Sequence, residues 1–133
     1  MKRVFADTVY YLALINRRDQ YAAAATRFTA GFSGAIVTSA WVLTEVANSL
    51  TRGSDRSLFV ELYRGLAEDN RVTIVPANQD LFEQGIDLFA QRPDKEWSLT
   101  DCVSFIIMRE YGLTEALTGD HHFEQAGFTI LLG

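Results

Sequence analysis

Short apolar runs alternate along this chain with longer segments that carry apolar residues at helical spacing. The run AIVT at 35–38 is short and almost continuously apolar, which is the pattern of a strand buried on both faces of a sheet. Four further strands are predicted at 2–6, 71–76, 114–118 and 128–132.

Helices are predicted between these strands, and polar caps or glycines mark several of their ends. Asp19, Asn78 and Ser98 stand where a side chain caps a helix N-terminus, and Gly31 and Gly112 stand where a helix ends. The predicted helices span 8–16, 20–31, 39–51, 55–69, 79–91, 99–111 and 121–126.

The alternation of strands and helices predicts an α/β fold. Its sheet should be parallel, covered by helices on both faces and joined by right-handed crossovers. The chain has 133 residues, enough for one domain with a core and too few for two typical domains. Because no repeat, low-complexity tract or linker interrupts it, we expect a single domain over residues 1–133.

Composition and charge exclude several classes of protein. A net charge of −5 argues against a protein that binds nucleic acid by charge alone, although a nuclease with bound metal stays possible. No apolar run approaches the roughly 18 residues that span a bilayer, and Asp7 interrupts any signal-peptide core, so we expect a cytoplasmic protein. The single cysteine, Cys102, allows no internal disulfide and is expected to be buried, and no Cys/His spacing indicates zinc.

Four acidic residues stand at junctions between predicted elements. Asp7 and Asp120 follow the first and fourth strands, whereas Glu45 and Asp101 fall near the starts of helices. In an alternating strand–helix fold these junctions lie along one edge of the sheet. Four carboxylates gathered there would repel one another unless a cation lay among them. The pattern therefore indicates a Mg²⁺ or Mn²⁺ site and, with it, phosphate chemistry.

Each acid also has an ordinary structural interpretation. Asp7 can be the N-cap of the next helix, and Asp101 can form a capping box with Ser98. Asp120 can be a turn residue, and Glu45 can lie on a solvated helix face. The prediction depends on the recurrence of four acids at one edge, since none of them is decisive alone.

Other polar residues near these junctions are assigned to the surface. His121 and His122 directly follow Asp120, but adjacent side chains diverge, so both cannot readily serve one ion. We expect structural or surface roles for them. Asp94 and Glu96 are expected in a solvated loop, with an outer position at the cleft as the alternative.

The chain resembles the PIN domain, particularly VapC-like toxin nucleases and their stand-alone relatives, over nearly its whole length. The resemblance is carried by VFADTVYYLAL (4–14), SAWVLTEVANSL (39–50), DKEWSLTDCVSFIIM (94–108) and EALTGDHHFEQAGFTIL (115–131). The S-L-T-D-C stretch and the T-x-D-x-H-F-x-x-x-G-F ending are its most specific parts. It implies a three-layer α/β/α fold with a central parallel sheet of about five strands, an Mg²⁺- or Mn²⁺-dependent endoribonuclease, and a homodimer that pairs with a small antitoxin.

The resemblance also implies roles for individual residues. The acidic quartet is Asp7, Glu45, Asp101 and Asp120, whose members would hold one or two metal ions, with Glu45 as ligand or as orienter of water. Thr118 and Asn48 match supporting polar residues of the family. From their positions alone, Thr8 and Ser98 are further supporting residues. Arg52 and Arg56 are candidate RNA contacts, with ordinary solvated residues as the alternative. This chain has Gly119 where the family often has asparagine.

Other functions stay open at this point. A phosphatase of the haloacid-dehalogenase type would need an acid at Val9, and a receiver domain would need its acceptor aspartate near Pro76, so both are disfavoured. A binding module with little turnover is the alternative from another class, with Trp41, Phe59 and Tyr63 lining a groove for a partner helix. A stand-alone RNA-processing nuclease without an antitoxin is the third possibility.

Overall fold

The computed structural model describes residues 1–133 and contains five strands and seven helices. The strands are β1 (Arg3–Ala6), β2 (Ala35–Ser39), β3 (Val72–Val75), β4 (Glu115–Leu117) and β5 (Thr129–Ile130). The helices are α1 (Thr8–Ile15), α2 (Ala22–Gly31), α3 (Ala40–Asn48), α4 (Asp55–Glu68), α5 (Gln79–Gln91), α6 (Leu99–Glu110) and α7 (His121–Gln125).

The five strands form one parallel sheet in the order β3-β2-β1-β4-β5. The chain runs outward from β1 through β2 to β3, and then returns to place β4 on the other side of β1. At the carboxyl end of the central pair, Ala6 of β1 is in register with Leu117 of β4. Strand order therefore reverses between β1 and β4, and α/β folds hold their ligands in the crevice at such a point.

The predicted α/β architecture with a five-stranded parallel sheet flanked by helices is confirmed. The predicted N-cap at Asn78 is present, because its Oδ1 accepts a hydrogen bond of 2.8 Å from the Leu81 amide. Gly112 ends α6 in a left-handed conformation with φ of 67°. No helix in the structure combines the length and the apolar character needed to cross a membrane.

Two predicted details are wrong. Asp19 does not cap α2, because its Oδ1 accepts from the Tyr21 amide at 2.8 Å within the preceding turn, and the helix begins at Ala22. The last strand spans only Thr129–Ile130, since it lies at the sheet edge and pairs only with the three-residue β4.

An aromatic cluster packs against the central part of the sheet, beside β1. The Phe105 ring of α6 lies 5.0 Å from the Phe123 ring of α7, and Phe123 lies 6.4 Å from Phe5 of β1. The Trp97 ring contacts the Phe105 ring edge to face at 5.0 Å between centroids. All of these side chains are buried. The cluster therefore holds the start of α6 and the start of α7 against β1, where three of the predicted acids stand.

Candidate active site

The site begins with two residues that follow the central strands. Asp7 comes directly after β1 and is only 4% exposed. Its Oδ2 accepts a hydrogen bond of 2.9 Å from the hydroxyl of the fully buried Thr118, which follows β4. Asp7 occupies the N-cap position of α1, but its side chain makes no capping hydrogen bond there. The capping interpretation therefore does not explain why this carboxylate is buried.

Thr118 also connects Asp7 to Asp120. The Thr118 hydroxyl oxygen also accepts from the Asp120 amide at 3.1 Å, which fixes the turn between β4 and α7. Asp120 in turn caps α7, because its Oδ1 accepts from the His122 amide at 2.9 Å. Thr118, which was predicted to support the last acid, thus lies between two carboxylate-bearing segments.

Asp101 reaches the same crevice from the start of α6. The Asp101 amide donates to the Ser98 hydroxyl at 3.0 Å, and the Ser98 amide donates to Asp101 Oδ2 at 3.1 Å. This reciprocal capping box holds the carboxylate rigidly at the helix N-terminus. Asp101 therefore forms the capping box and also lies in the acidic cluster. Its structural interpretation as a cap and its interpretation as a site residue are compatible.

Glu45 joins the cluster through Thr8. The Thr8 hydroxyl donates to Glu45 Oε1 at 2.7 Å, and Thr8 is the residue after Asp7. Because α3 packs against α1, this bond holds Glu45 beside the crevice as a half-buried side chain. Glu45 is thus held by the hydroxyl of the residue that directly follows Asp7.

His122, for which a structural or surface role was expected, also lies in the cluster. Its Nδ1 lies 3.0 Å from Asp101 Oδ2 and 3.4 Å from Asp120 Oδ1. Ligand atoms of Asp101, Asp120 and His122 all lie within 4.8 Å of one another. The spacing Asp120-x-His122 could have indicated this position. A side chain two residues after a helix N-cap can lie close to the side chain of the cap itself.

The electrostatics of the cluster call for a cation. Neither lysine nor arginine forms an ion pair with Asp7, Glu45, Asp101 or Asp120. Burial raises the pKa of Asp7 to about 7, and the Thr8 amide and the Thr118 hydroxyl only partly oppose this effect. Burial also raises the pKa of Asp101, with a further contribution from the charge of Asp120. Buried, mutually repelling carboxylate oxygens are the donors that Mg²⁺ and Mn²⁺ prefer, so the residues present fit such an ion.

Other residues singled out in the sequence lie outside the cluster. Asn48, Arg52 and Arg56 are exposed, and Arg56 Nε donates to the Thr51 carbonyl at 2.7 Å. No hydrogen bond or ion pair connects these three side chains to the acids. Asp94 forms an exposed bidentate pair with Arg92, which fits the predicted solvated loop.

Comparison with known proteins identifies the family. The family model of the PIN domain matches residues 4–129. The chain belongs to the PIN-domain family. The resemblance seen in the sequence is therefore confirmed, and the reversal of strand order between β1 and β4 gives this PIN domain its acidic crevice.

Curated relatives of this PIN domain include the 23S rRNA-specific endonuclease VapC20 from two strains of Mycobacterium tuberculosis, CDC 1551 / Oshkosh and ATCC 25618 / H37Rv. Each is 32% identical over 126 residues, which cover 94% of this chain and 95% of the relative. The crystal structure of M. tuberculosis VapC20, described as a sarcin–ricin loop cleaving toxin, superposes with a TM-score of 0.85 at 28% identity over 95% of this chain and 96% of that one. These relatives support the predicted VapC-like ribonuclease.

A more distant structure shares the fold. FitAcB from Neisseria gonorrhoeae matches with a TM-score of 0.66 at 15% identity, covering 96% of each chain. At this identity the likeness extends to the arrangement of strands and helices alone.

Tyr21 explains why residue 119 is a glycine in this chain. A Cβ on Gly119 would lie 2.2 Å from Tyr21 Cζ and 2.5 Å from the Tyr21 hydroxyl oxygen. The same hydroxyl donates to the Gly119 carbonyl at 3.4 Å. The Tyr21 ring therefore takes the space beside the β4–α7 turn that any side chain at position 119 would need.

We predict that Gly119→Ala destabilises the protein only while Tyr21 is present. The new Cβ forces the Tyr21 ring to move, which should lower the free energy of unfolding by about 1–3 kcal/mol, and by close to nothing in a Tyr21→Ala background. Chemical denaturation of the four proteins in this double-mutant cycle measures the coupling. Gly31→Ala is the matched control, because no atom lies within 4 Å of its added Cβ. Equal losses in both backgrounds would contradict the explanation.

We predict that Asp7→Asn stabilises the metal-free protein above neutral pH. The folded-state pKa of Asp7 is raised from 3.8 to about 7, so its ionisation opposes folding increasingly as pH rises between these values. In EDTA the variant should exceed wild type by at most about 4 kcal/mol at pH 8, with the difference shrinking towards pH 4.

Denaturation of both proteins from pH 4 to pH 8 measures this difference. Asp87→Asn serves as the control, since Asp87 is exposed on α5 and should show no comparable gain. A variant that is less stable than wild type at pH 8, or a stability difference that does not depend on pH, would contradict the raised pKa of Asp7.

Proposed function

We propose that this PIN domain is a divalent-metal-dependent endoribonuclease that acts as the toxin of a toxin–antitoxin pair. The observation that carries the proposal is that Asp101 and Asp120 lie together at the strand-order reversal, near enough to Asp7 for both of their charges to raise its pKa. No lysine or arginine pairs with any of the three. The stated activity of VapC20, a 23S rRNA-specific endonuclease, supports RNA as the substrate.

We assign the three central carboxylates to ion binding. Asp7, Asp101 and Asp120 would hold one or two ions of Mg²⁺ or Mn²⁺. A bound divalent ion supplies charge that stabilises the phosphoryl oxygens and lowers the pKa of water. Thr118 and Ser98 hold two of these carboxylates in place through the hydrogen bonds described above.

Glu45 has a different position and we propose a different role. Its Oε1 is held by the Thr8 hydroxyl, which leaves the second carboxylate oxygen for a water or for an ion. From this place Glu45 can orient the attacking water for hydrolysis of a phosphodiester bond. Arg52 and Arg56 are exposed and free of ion pairs, so they are available to phosphate groups farther along the RNA backbone.

An apolar groove offers a place for the antitoxin. It is lined by Leu43 of α3, Phe59 and Tyr63 of α4, and Ile74 of β3. Tyr63 is 45% exposed in the isolated chain. A groove of this kind accepts the apolar face of an amphipathic helix. Trp41, which was expected beside Phe59 and Tyr63, is not among the residues that line it.

A second apolar surface supports a homodimer. Phe82, Ile86 and Phe89 follow one face of α5 and are 37%, 40% and 52% exposed. Large apolar side chains repeated along one exposed helix face are typical of protein interfaces. We propose that this face of α5 contacts a second copy of the chain.

The first test of the proposed function is RNA cleavage by the purified protein. Wild type should cut total RNA or ribosomes with Mg²⁺ or Mn²⁺ and stop in EDTA, with 23S rRNA as the first substrate to map. Asp7→Asn and Asp101→Asn should each reduce the rate by about a hundredfold or more, because each removes a charged ligand of the ion. Asp94→Asn is the matched control, since Asp94 pairs with Arg92 in the exposed loop.

The result of this assay distinguishes a nuclease from a binding module. Cleavage that persists in Asp7→Asn at the wild-type rate would remove this residue from the site. A folded wild-type protein, free of inhibitor, that cuts no RNA with either metal would favour a PIN-like binding module with little turnover.

The homodimer is tested separately by light scattering after size-exclusion chromatography. Ile86→Glu should convert a dimer into a monomer, because it buries a charge in the proposed α5 contact. Leu58→Glu is the matched control, since Leu58 is 42% exposed on α4. A monomeric wild type, or a dimer that survives Ile86→Glu, would contradict the proposed face.

A further inference from the structure

His122 is held over the acidic cluster by its own helix. Its amide donates to Asp120 Oδ1 at 2.9 Å, and the next residue, Phe123, is fully buried against Phe5 and Phe105. With the helix start fixed in this way, the ring is only partly exposed and its Nδ1 lies between two carboxylates.

The carboxylates on either side of His122 are also fixed. The capping box with Ser98 holds Asp101 at the start of α6, and the Thr118 hydroxyl holds the backbone of Asp120. His122 Nδ1 lies 3.0 Å from Asp101 Oδ2 and 3.4 Å from Asp120 Oδ1. The three donor groups therefore converge without rearrangement of the backbone.

The neighbouring histidine shows that this placement is specific. The His121 side chain is 80% exposed, and its Nδ1 pairs with Glu124 on the outer face of α7 at 2.6 Å. The divergence of adjacent side chains expected from the sequence thus sends one histidine to the solvent and the other to the acids. His121 shares the residue type and the helix of His122 but lacks contact with the cluster.

The spacing of the three groups suits one coordination sphere. Their candidate ligand atoms lie within 4.8 Å of one another. Two ligands with bonds of about 2.1 Å to the same ion lie roughly 3–4 Å apart, so side-chain adjustments alone bring all three to one ion. A set of two carboxylates and one imidazole differs from an all-oxygen site in its preference for metals.

We propose that His122 supplies a nitrogen ligand to the divalent ion held by Asp101 and Asp120, and that this nitrogen makes the site favour Mn²⁺ over Mg²⁺. The inference rests on the metal-dependent function proposed above. Mg²⁺ prefers oxygen ligands and retains its waters, whereas first-row transition ions accept imidazole nitrogen more readily.

A different role for His122 predicts the opposite effect on metal binding. In that alternative the ring N–H only donates hydrogen bonds to the carboxylates and must leave before an ion can enter. Removing the ring would then free Asp101 and Asp120, so that both Mn²⁺ and Mg²⁺ would bind more tightly. The direction of the change therefore distinguishes a ligand from a competitor.

The experiment measures binding of Mn²⁺ alone and Mg²⁺ alone to wild type, His122→Ala and His121→Ala. Calorimetric titration and the electron paramagnetic resonance signal of Mn²⁺ provide the affinities without any nuclease assay. His122→Ala should weaken Mn²⁺ binding about tenfold or more and change Mg²⁺ binding less than about threefold. His121→Ala should leave both affinities at the wild-type value. Pulsed resonance on wild type should show a coordinated ¹⁴N nucleus.

The remaining outcomes overturn the inference. Unchanged or tighter Mn²⁺ binding by His122→Ala, or no coordinated ¹⁴N in wild type, would show that the ring is not a ligand. The proposed nuclease would survive either result, because wild type would still bind the ion through its carboxylates. A wild type that binds neither metal would overturn both proposals.

The test does not depend on the folding of one variant. The ¹⁴N measurement is made on wild type, and His122→Gln, which keeps a polar side chain, replaces His122→Ala if the alanine variant does not fold.

Discussion

The hydrogen bond from the Thr118 hydroxyl to the Asp7 carboxylate is the contact on which the site depends. It joins the ends of β1 and β4 where strand order reverses, and the same hydroxyl oxygen accepts from the Asp120 amide. One buried threonine thereby sets the position of two acids. Because no lysine or arginine pairs with these carboxylates, they favour a bound ion. Their mutual repulsion is therefore a cost that the proposed ion would relieve.

The other acids reach the crevice through local features of their helices. Asp101 is held by a capping box with Ser98, an interaction that would stabilise α6 in any protein. Glu45 accepts a hydrogen bond from Thr8, and Thr8 lies near the crevice because it directly follows Asp7 in the chain. The structural roles and the proposed functional roles therefore coincide at these residues, which is why neither interpretation of the sequence excluded the other.

Much of the fold and the acidic quartet could be predicted, because both are encoded locally. Apolar runs marked all five strands, and the caps at Asn78 and Ser98 marked two helix starts. Asp19 was misassigned, since its side chain bonds to the turn before α2 rather than to the helix, a choice between two neighbouring amides that propensity does not decide. The positions of acids at strand ends predicted a common edge because parallel strands all end on the same side.

The sequence by itself determined the order of the elements, their approximate bounds and the presence of acids at their junctions, since these depend on residues close together in the chain. The tertiary structure decided which junctions became neighbours. It brought His122 between Asp101 and Asp120, and it placed the Tyr21 ring where a side chain on residue 119 would lie. The contacts of His122 with Asp101 and of Tyr21 with Gly119 join residues that are far apart in sequence. They depend on how the helices pack on the sheet, which no local pattern specifies.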